Sequence, residues 1–472
     1  MTNDDGNNMP EVPKETLFSF LTLREALLTN LVSLDYQSMT PIQAESLPLM
    51  LQGSDVIAQA KTGSGKTAAF GLALLNHLNV DEIRVQALVL CPTRELAEQV
   101  SQALRRFARL MPNVKILNLS GGMPMKPQLD SLKHGAHIIV GTPGRVQKHL
   151  DKESLSFKKL QTLVLDEADR MLDMGFVDAI KHVISFCPKS RQTLLFSATY
   201  PPQVKQLARE FMSEPKQVRI DASESNLDIA QRFYEVDSPK QKFAILKALL
   251  LHHRPLSTLI FCNTKDQTAE LTMMLIQEGF SATALHGDLE QVDRDLAMIR
   301  FANQSCSILV ATDVAARGLD IQELPAVISF DLAFELDVHI HRIGRTGRAG
   351  HKGLAISITT PANAERLALI EDQLGQPLSW GNISELTNSN QAIELPPMVT
   401  LSLAAGKKDK IRPGDILGAL TKEAGLPSGS IGKINISPLH SYVAIEQSLV
   451  KQAYQYLQNG KLKGRKIKVK QL

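Results

Sequence analysis

At 472 residues the chain is too long for one hydrophobic core, and with 43% hydrophobic and 21% charged residues it reads as an ordinary globular protein of roughly two to four domains. No apolar run approaches the ~18 residues that span a bilayer, and the opening MTNDDGNNMP lacks the basic and apolar regions of a signal peptide, so no membrane partner and a cytoplasmic location are expected. The net charge of +3 hides an asymmetry: residues 401–472 hold 13 Lys and Arg against 4 Asp and Glu, a basic module suited either to nucleic acid or to a solvated lysine face.

In chain order, the first 16 residues are polar and expected to be disordered. Short apolar runs then recur with helical stretches between them: ALVL (87–90), HIIV (137–140), TLVL (162–165) and TLLF (193–196), then TLIF (258–261), SILVA (307–311), AVISF (326–330) and LAISI (354–358). Alternating strands and helices predict a parallel sheet covered on both faces. The polar stretch 221–228 divides the series into α/β domains over 17–220 and 229–380, and 381–397 reads as a second linker. Beyond it the pattern predicts strand (398–404), helix (413–424), strands (432–436 and 441–446), helix (448–458) and strand (464–470), a βαββαβ module of the kind that many RNA-recognition (RRM-like) domains use. Cys91, Cys187, Cys262 and Cys306 form no CxxC pair, which argues against a zinc or disulfide framework.

Two stretches carry chemistry. AKTGSGKT (60–67) follows an apolar run and precedes a helix, as a P-loop does, although Ala60 stands at the first glycine of the general pattern. In such a loop Thr62, Gly63, Ser64 and Gly65 wrap phosphate oxygens with backbone N–H groups, Lys66 reaches the β and γ phosphates, and the Thr67 hydroxyl binds Mg²⁺; a glycine turn capping a helix is the plain alternative. LVLDEADRML (163–172) runs from a buried strand straight into Asp166, Glu167 and Asp169. Buried carboxylates need a metal ion, basic side chains or solvent at a strand end. Beside a P-loop, Asp166 fits a carboxylate that holds Mg²⁺ and Glu167 a base for the attacking water.

With PTRELA (92–97), GG (121–122), TPGR (142–145), SAT (197–199), FCNT (261–264), QVDR (291–294), ATDVAARGLD (311–320) and HRIGRTGR (341–348), these motifs make residues 18–375 resemble the DEAD-box RNA helicases. The resemblance implies two tandem RecA-like parallel-sheet domains, ATP and Mg²⁺ as cofactors, and RNA as partner. It implies that Phe18, Tyr36, Thr40 and Gln43 read adenine, with Tyr36 stacked on the ring and Gln43 on its polar edge; Asp35 and Met39 depart from the family's Gly and Pro. Asp320 would contact ribose, and Arg345 and Arg348 would be arginine fingers. Ser197 and Thr199 would bond Asp169, with His341 near, coupling hydrolysis to domain closure. RNA would be held by Pro92, Thr93, Arg94, Gly121, Gly122, Thr142, Pro143, Gly144, Arg145, Thr264, Arg294, Thr312 and Arg317.

With IRPGDILGAL (411–420), SIGKINI (430–436) and NGKLKGRKIKV (459–469), the basic module resembles the tail of one bacterial group, the DEAD-box protein A group, which implies 23S ribosomal RNA and assembly intermediates of the large ribosomal subunit as partners, with no stable protein partner evident. Its strand HSYVAIEQ keeps only Tyr442 of the usual aromatics, so recognition is expected from Lys461, Lys463, Arg465, Lys466 and Lys468 along the basic edge, beside Tyr442. Lysines on a last strand also guard a sheet edge. The expected activity is local unwinding of short RNA duplexes; the alternatives are an ATP-gated RNA clamp and a DNA helicase of similar build.

Overall fold

The computed structural model describes residues 16–60, 63–220, 229–316, 324–347, 353–386 and 392–472. Among them the strands form sheets of seven, six and four. The first sheet contains β1 (Val56–Gln59), β2 (Ala87–Leu90), β3 (Ile116–Leu119), β4 (Ile138–Gly141), β5 (Thr162–Leu165), β6 (Gln192–Ser197) and β7 (Lys216–Arg219), in the order β3-β4-β2-β5-β6-β1-β7. Every pairing in it is parallel. β2, β4 and β5 are buried at every position, as strands must be when helices cover both faces of a parallel sheet. Separate apolar clusters occupy the two faces: Val89 and Val164 face one and Leu88 and Leu163 the other, the alternation of a strand.

The second body repeats the plan with β8 (Ile229–Glu235), β9 (Thr258–Cys262), β10 (Ala282–Leu285), β11 (Ile308–Thr312), β12 (Ala326–Ser329) and β13 (Gly353–Thr359), ordered β10-β11-β9-β12-β13-β8. These pairs are also parallel. The segment read as a second linker packs on this domain along its described residues. The Gly381 N–H donates to Phe233 O at 2.8 Å, Leu386 is buried, and Ile393 lies against the same core. Apolar side chains that the domain can cover hold the strap down. The linker 221–228 and the residues before 16 lie outside the described residues.

The C-terminal module has β14 (Met398–Leu403), β15 (Ile431–Ile436), β16 (Ser441–Glu446) and β17 (Val469–Gln471) in an antiparallel sheet ordered β15-β16-β14-β17. Two features differ from the sequence pattern. The first helix, Pro413–Gly418, passes into a π-helical turn over Ala419–Glu423. The last strand is three residues long and is preceded by a tight reversal in which Lys463 and Gly464 take positive φ (51° and 76°), bridged by Leu462 and Arg465. The basic residues therefore lie on a turn and its exit more than along an edge strand.

Candidate nucleotide and RNA sites

The strand order of the first domain divides its carboxyl edge in two. Loops after β1, β5 and β6 carry the P-loop, the DEAD residues and SAT, and loops after β3, β4 and β2 carry GG, TPGR and PTRELA. Ligands of open parallel sheets bind at such carboxyl edges. The halves meet where the Asp166 N–H donates to Leu90 O at 3.0 Å, joining the strand of DEAD to the strand that precedes Pro92.

In the P-loop, Gly63 and Gly65 hold φ of 85° and 94°, values a side chain resists, and Gly65 precedes the helix Lys66–His77. A Cβ on Gly65 would lie 2.4 Å from Gln43 Nε2. Lys66 is 6% exposed and donates from Nζ to Ala60 O at 2.8 Å, so its ammonium is folded over the loop. Among the described residues Ser64 Oγ is buried without a hydrogen-bond partner, a polar atom that a phosphate or its counter-ion would satisfy. Thr67 is the second residue of the helix and is half-buried. Thr62 lies outside the described residues.

Thr40 and Gln43 are fastened to this loop. Thr40 Oγ1 donates to Ser64 O at 2.8 Å, Gln43 Nε2 donates to Gly65 O at 3.0 Å, and Gln43 Oε1 accepts from the Thr40 N–H at 2.9 Å. Here both ends of the Gln43 amide are engaged by the chain and the side chain is 2% exposed, so adenine reading would require it to exchange a partner. Tyr36 is half-buried, edge-on to Phe18 (6.3 Å) and Phe107 (5.6 Å), and Phe18 is a core residue. The two departures from the family pattern are accommodated. Asp35 adopts φ of 61°, the left-handed conformation that glycine favours and Asp tolerates. The Met39 N–H donates to Thr16 O at 2.6 Å, a bond that proline could not make.

Asp166, Glu167 and Asp169 are 3%, 9% and 4% exposed, which excludes bulk solvent as their main stabiliser. Burial pushes Asp166 up to about 7, against the pull of the Lys66 ammonium and with Glu167 adding to the rise. Glu167 itself sits at φ of 52°. Burial also acts on Asp169, yet its carboxyl is held below the usual range by the Thr199 N–H, the Arg170 charge and the Thr199 hydroxyl. Both Thr199 donors reach Asp169 Oδ2 at 2.9 Å, and the Asp169 N–H donates to Ser197 Oγ at 3.3 Å. Among the described residues no group of three or more His, Cys, Asp and Glu could hold a metal. One carboxylate beside phosphates and a hydroxyl is the set that suits Mg²⁺, which keeps most of its water.

On the other half, Thr93 caps the helix Arg94–Phe107 by accepting from the Leu96 N–H, and Thr142 precedes the helix Pro143–Asp151. Gly122 has φ of 74°, and a Cβ there would lie 1.7 Å from Arg94 Nη1, so the guanidinium rests directly on the glycine. The Gly121 N–H points to Thr142 Oγ1 at 3.4 Å. Pro92, Thr93, Arg94, Gly121, Gly122, Thr142, Pro143, Gly144 and Arg145 are thus drawn from three adjacent strand ends.

The second domain repeats the device. Thr264 caps the helix Lys265–Gln277, Thr312 ends β11, and Arg294 lies on the helix Gln291–Ala302, so the ends of β9, β11 and β10 again share one region. His341 lies in the helix Leu336–Ile343 and Arg345 just after it, and Leu324 N–H donates to Arg345 O at 3.2 Å. Arg317, Asp320 and Arg348 lie outside the described residues. Sequence reasoning passed over Arg342, which is 1% exposed. It bonds Asp313 through Nε (2.7 Å) and Nη2 (2.6 Å), Asn263 Oδ1 (2.8 Å) and the Asp331 carbonyl, and lies 5.0 Å above the Phe261 ring. It ties FCNT, ATD and HRIGR together; its place within HRIGR was the available signal.

In the C-terminal module, Thr400 is fully buried on the sheet face away from the module's own core, because the second domain covers it there. Ser305 Oγ and Thr400 Oγ1 are 2.6 Å apart, and Asn303 Nδ2 donates to the same hydroxyl at 3.2 Å. Tyr442 is on that face, half-buried, 6.4 Å from the His440 ring, its hydroxyl pushed up by burial and by Asp295 of the second domain. Lys463 bonds Lys410 O and Asp415, and Arg465 is 3.8 Å from Asp409; Lys461, Lys466 and Lys468 are exposed.

Comparison with known proteins agrees with this geometry. The DEAD/DEAH box helicase family matches residues 40–207, the helicase conserved C-terminal domain 241–350, and the DbpA RNA binding domain 400–471. The ATP-dependent RNA helicase DbpA of Escherichia coli (strain K12) is 52% identical over 97% of this chain and 100% of its own length. The chain belongs to the DEAD-box ATP-dependent RNA helicases. This helicase is also 43% identical to the CshA helicase of Limosilactobacillus reuteri, over 75% of the chain and 71% of that relative. S. cerevisiae Dbp5 bound to RNA and ADP BeF3 superposes with a TM-score of 0.71 at 32% identity, covering 78% of the helicase and 96% of that chain. It is therefore an enzyme that couples ATP to RNA, with two RecA-like domains and a DbpA-type RNA-binding domain.

Proposed function

We propose that this helicase locally separates short RNA duplexes, and that its C-terminal domain directs it to 23S ribosomal RNA during assembly of the large ribosomal subunit. The observation that carries the reading is the division of one sheet edge between the P-loop, DEAD and SAT loops on one side and the GG, TPGR and PTRELA loops on the other, joined through Asp166 and Leu90. The relative named DbpA and the match of the DbpA RNA binding domain to 400–471 support an RNA-directed C-terminal domain; the ribosomal target follows from the resemblance of the basic module to the DEAD-box protein A group.

In this reading Lys66 leaves Ala60 O for the β and γ phosphates of ATP, and Gln43 exchanges Gly65 O for the adenine edge. Thr67 and Asp166 are the residues for Mg²⁺, which when bound neutralises phosphate charge. Glu167 orients water and takes its proton. Arg345 and Arg348 supply charge to the γ phosphate from the second domain, and such fingers are worth on the order of 10³ to 10⁵ in rate. Asp169, through Thr199 and Ser197, passes the state of the nucleotide to SAT. The glycine and threonine loops of both domains grip one strand by its phosphates, where backbone N–H groups can approach closely. A bent single strand fits that grip and a straight duplex does not.

The test removes 401–472 and compares RNA-stimulated ATPase with a ribosomal RNA fragment and with poly(A). The full chain is expected to prefer the ribosomal fragment, and the shortened chain to respond to both alike at high RNA concentration. Equal response in the full chain would refute the targeting; stable ATP-dependent retention of a short duplex without strand release would favour a clamp.

A further inference from the structure

We infer that Gln128, which belongs to none of the helicase motifs, is the positioning residue that holds Arg145 and the Gly121–Gly122 loop in place for the RNA strand. The inference rests on the reading of Arg145 and the glycine pair as RNA contacts.

Gln128 lies on the helix Met125–Lys133, which contributes no buried residue, so its side chain is half-buried with little packing duty. Its amide nevertheless makes bonds at both ends. Nε2 donates to Ser120 O at 3.0 Å, one residue before Gly121. Oε1 accepts from Arg145 Nη1 at 2.7 Å and lies 3.0 Å from Nε2 of the buried His149.

Only one polarity satisfies this arrangement. A carbonyl must accept and a guanidinium must donate, so the amide cannot be flipped. His149 then carries a proton on Nε2, and its Nδ1 lies 2.9 Å from Ser154 Oγ, whose single proton is shared between that nitrogen and the His149 carbonyl. Burial, followed by the charges of Arg145 and Lys152, lowers the ring's basicity and so favours its neutral form. The amide thus joins the loop after β3 to the loop after β4, while Arg94 from the loop after β2 rests on Gly122. Among the described residues one Arg145 nitrogen is committed to Gln128 and the other donors of the fork are not consumed. Freed of Gln128, the arginine would have to be ordered by RNA itself, and immobilising a long side chain weakens binding by about 3- to 10-fold.

The test measures RNA-stimulated ATPase of the full chain with poly(A), reading the half-saturating RNA concentration, kcat, and KM for ATP. Gln128→Ala, and Gln128→Met as a variant of similar shape, are expected to raise half-saturating RNA by about 3- to 10-fold with kcat at saturating RNA and KM for ATP unchanged, the buried His149 N–H left unpaired showing separately as a modest loss of thermal stability. Arg145→Ala should raise it at least as much, and Gln128→Ala should add nothing in that background. An unshifted Gln128→Ala beside a shifted Arg145→Ala overturns the inference alone, as does full additivity in the double variant or a loss of kcat without a shift. An unshifted Arg145→Ala overturns the inference together with the reading of the RNA face.

Discussion

Thr199 donates both its backbone N–H and its hydroxyl to one oxygen of Asp169, each at 2.9 Å, while the other oxygen accepts from the Arg170 N–H at 3.0 Å. A buried carboxylate is thereby kept charged by donors from the loop after β6. Thr199→Val keeps the backbone donor and the shape but removes the hydroxyl, at a cost of about 1.5–3 kcal/mol for a hydrogen bond to a charged group. The expected outcome is a modest loss of unfolding stability, ATPase within a few-fold of the parent, and a larger loss of strand separation. ATPase and duplex-release assays on the same preparations check it; equal losses in both would remove the coupling role.

Lys66 and Glu167 have separable duties. Lys66→Ala removes the ammonium that opposes the burial of Asp166, and it should weaken ATP binding as read by equilibrium titration with a fluorescent ATP analogue. Glu167→Gln keeps the volume and loses the base, so binding should persist while hydrolysis falls by about 10²-fold or more. Full turnover in the Glu167 variant would require another base.

These residues were legible because the chemistry lies in contiguous motifs, whereas the strand crossovers that sort the loops into two halves depend on tertiary pairing. The P-loop and DEAD stretches announced themselves by glycine spacing and by carboxylates at the end of an apolar run. Gln128 and Arg342 did not, since a lone polar residue on an exposed helix, or one more arginine in a basic motif, becomes specific only when folding brings partners to it. The basic tail shows the converse. Its alternation suggested a long last strand, but Lys463 and Gly464 turn the chain, and the glycine was the overlooked signal.

His339 provides a pH test for the second domain. Its ring is 3% exposed, and burial, reinforced by the Arg342 charge, pushes it down to about 4. A base whose folded pKa lies below its unfolded value of about 6.5 binds its proton in the unfolded chain first, so stability is lost as pH falls from about 6.5 towards 4. At pH 5 this group alone should cost about 2 kcal/mol relative to pH 7. Denaturant unfolding of the second-domain transition at both pH values should show that difference, and His339→Phe should reduce it. A drop of the same size in the variant would assign it to other groups.

Arg342 sets the largest stability prediction. Its guanidinium is fully buried and satisfied by Asp313, Asn263 and the Asp331 carbonyl, so Arg342→Met leaves the Asp313 carboxylate without its bidentate partner. Removing one member of a buried pair costs about 3–5 kcal/mol, because the remaining charge is already desolvated. Asp313 keeps some solvent contact, its side chain being 21% exposed, which places the expected loss at the lower end of that range. The paired change Arg342→Met with Asp313→Leu removes both charges and should recover part of the loss. Calorimetric unfolding of the parent, single and double variants decides it: a double variant no more stable than the single one would show that Arg342 acts mainly through Asn263 and the Asp331 carbonyl.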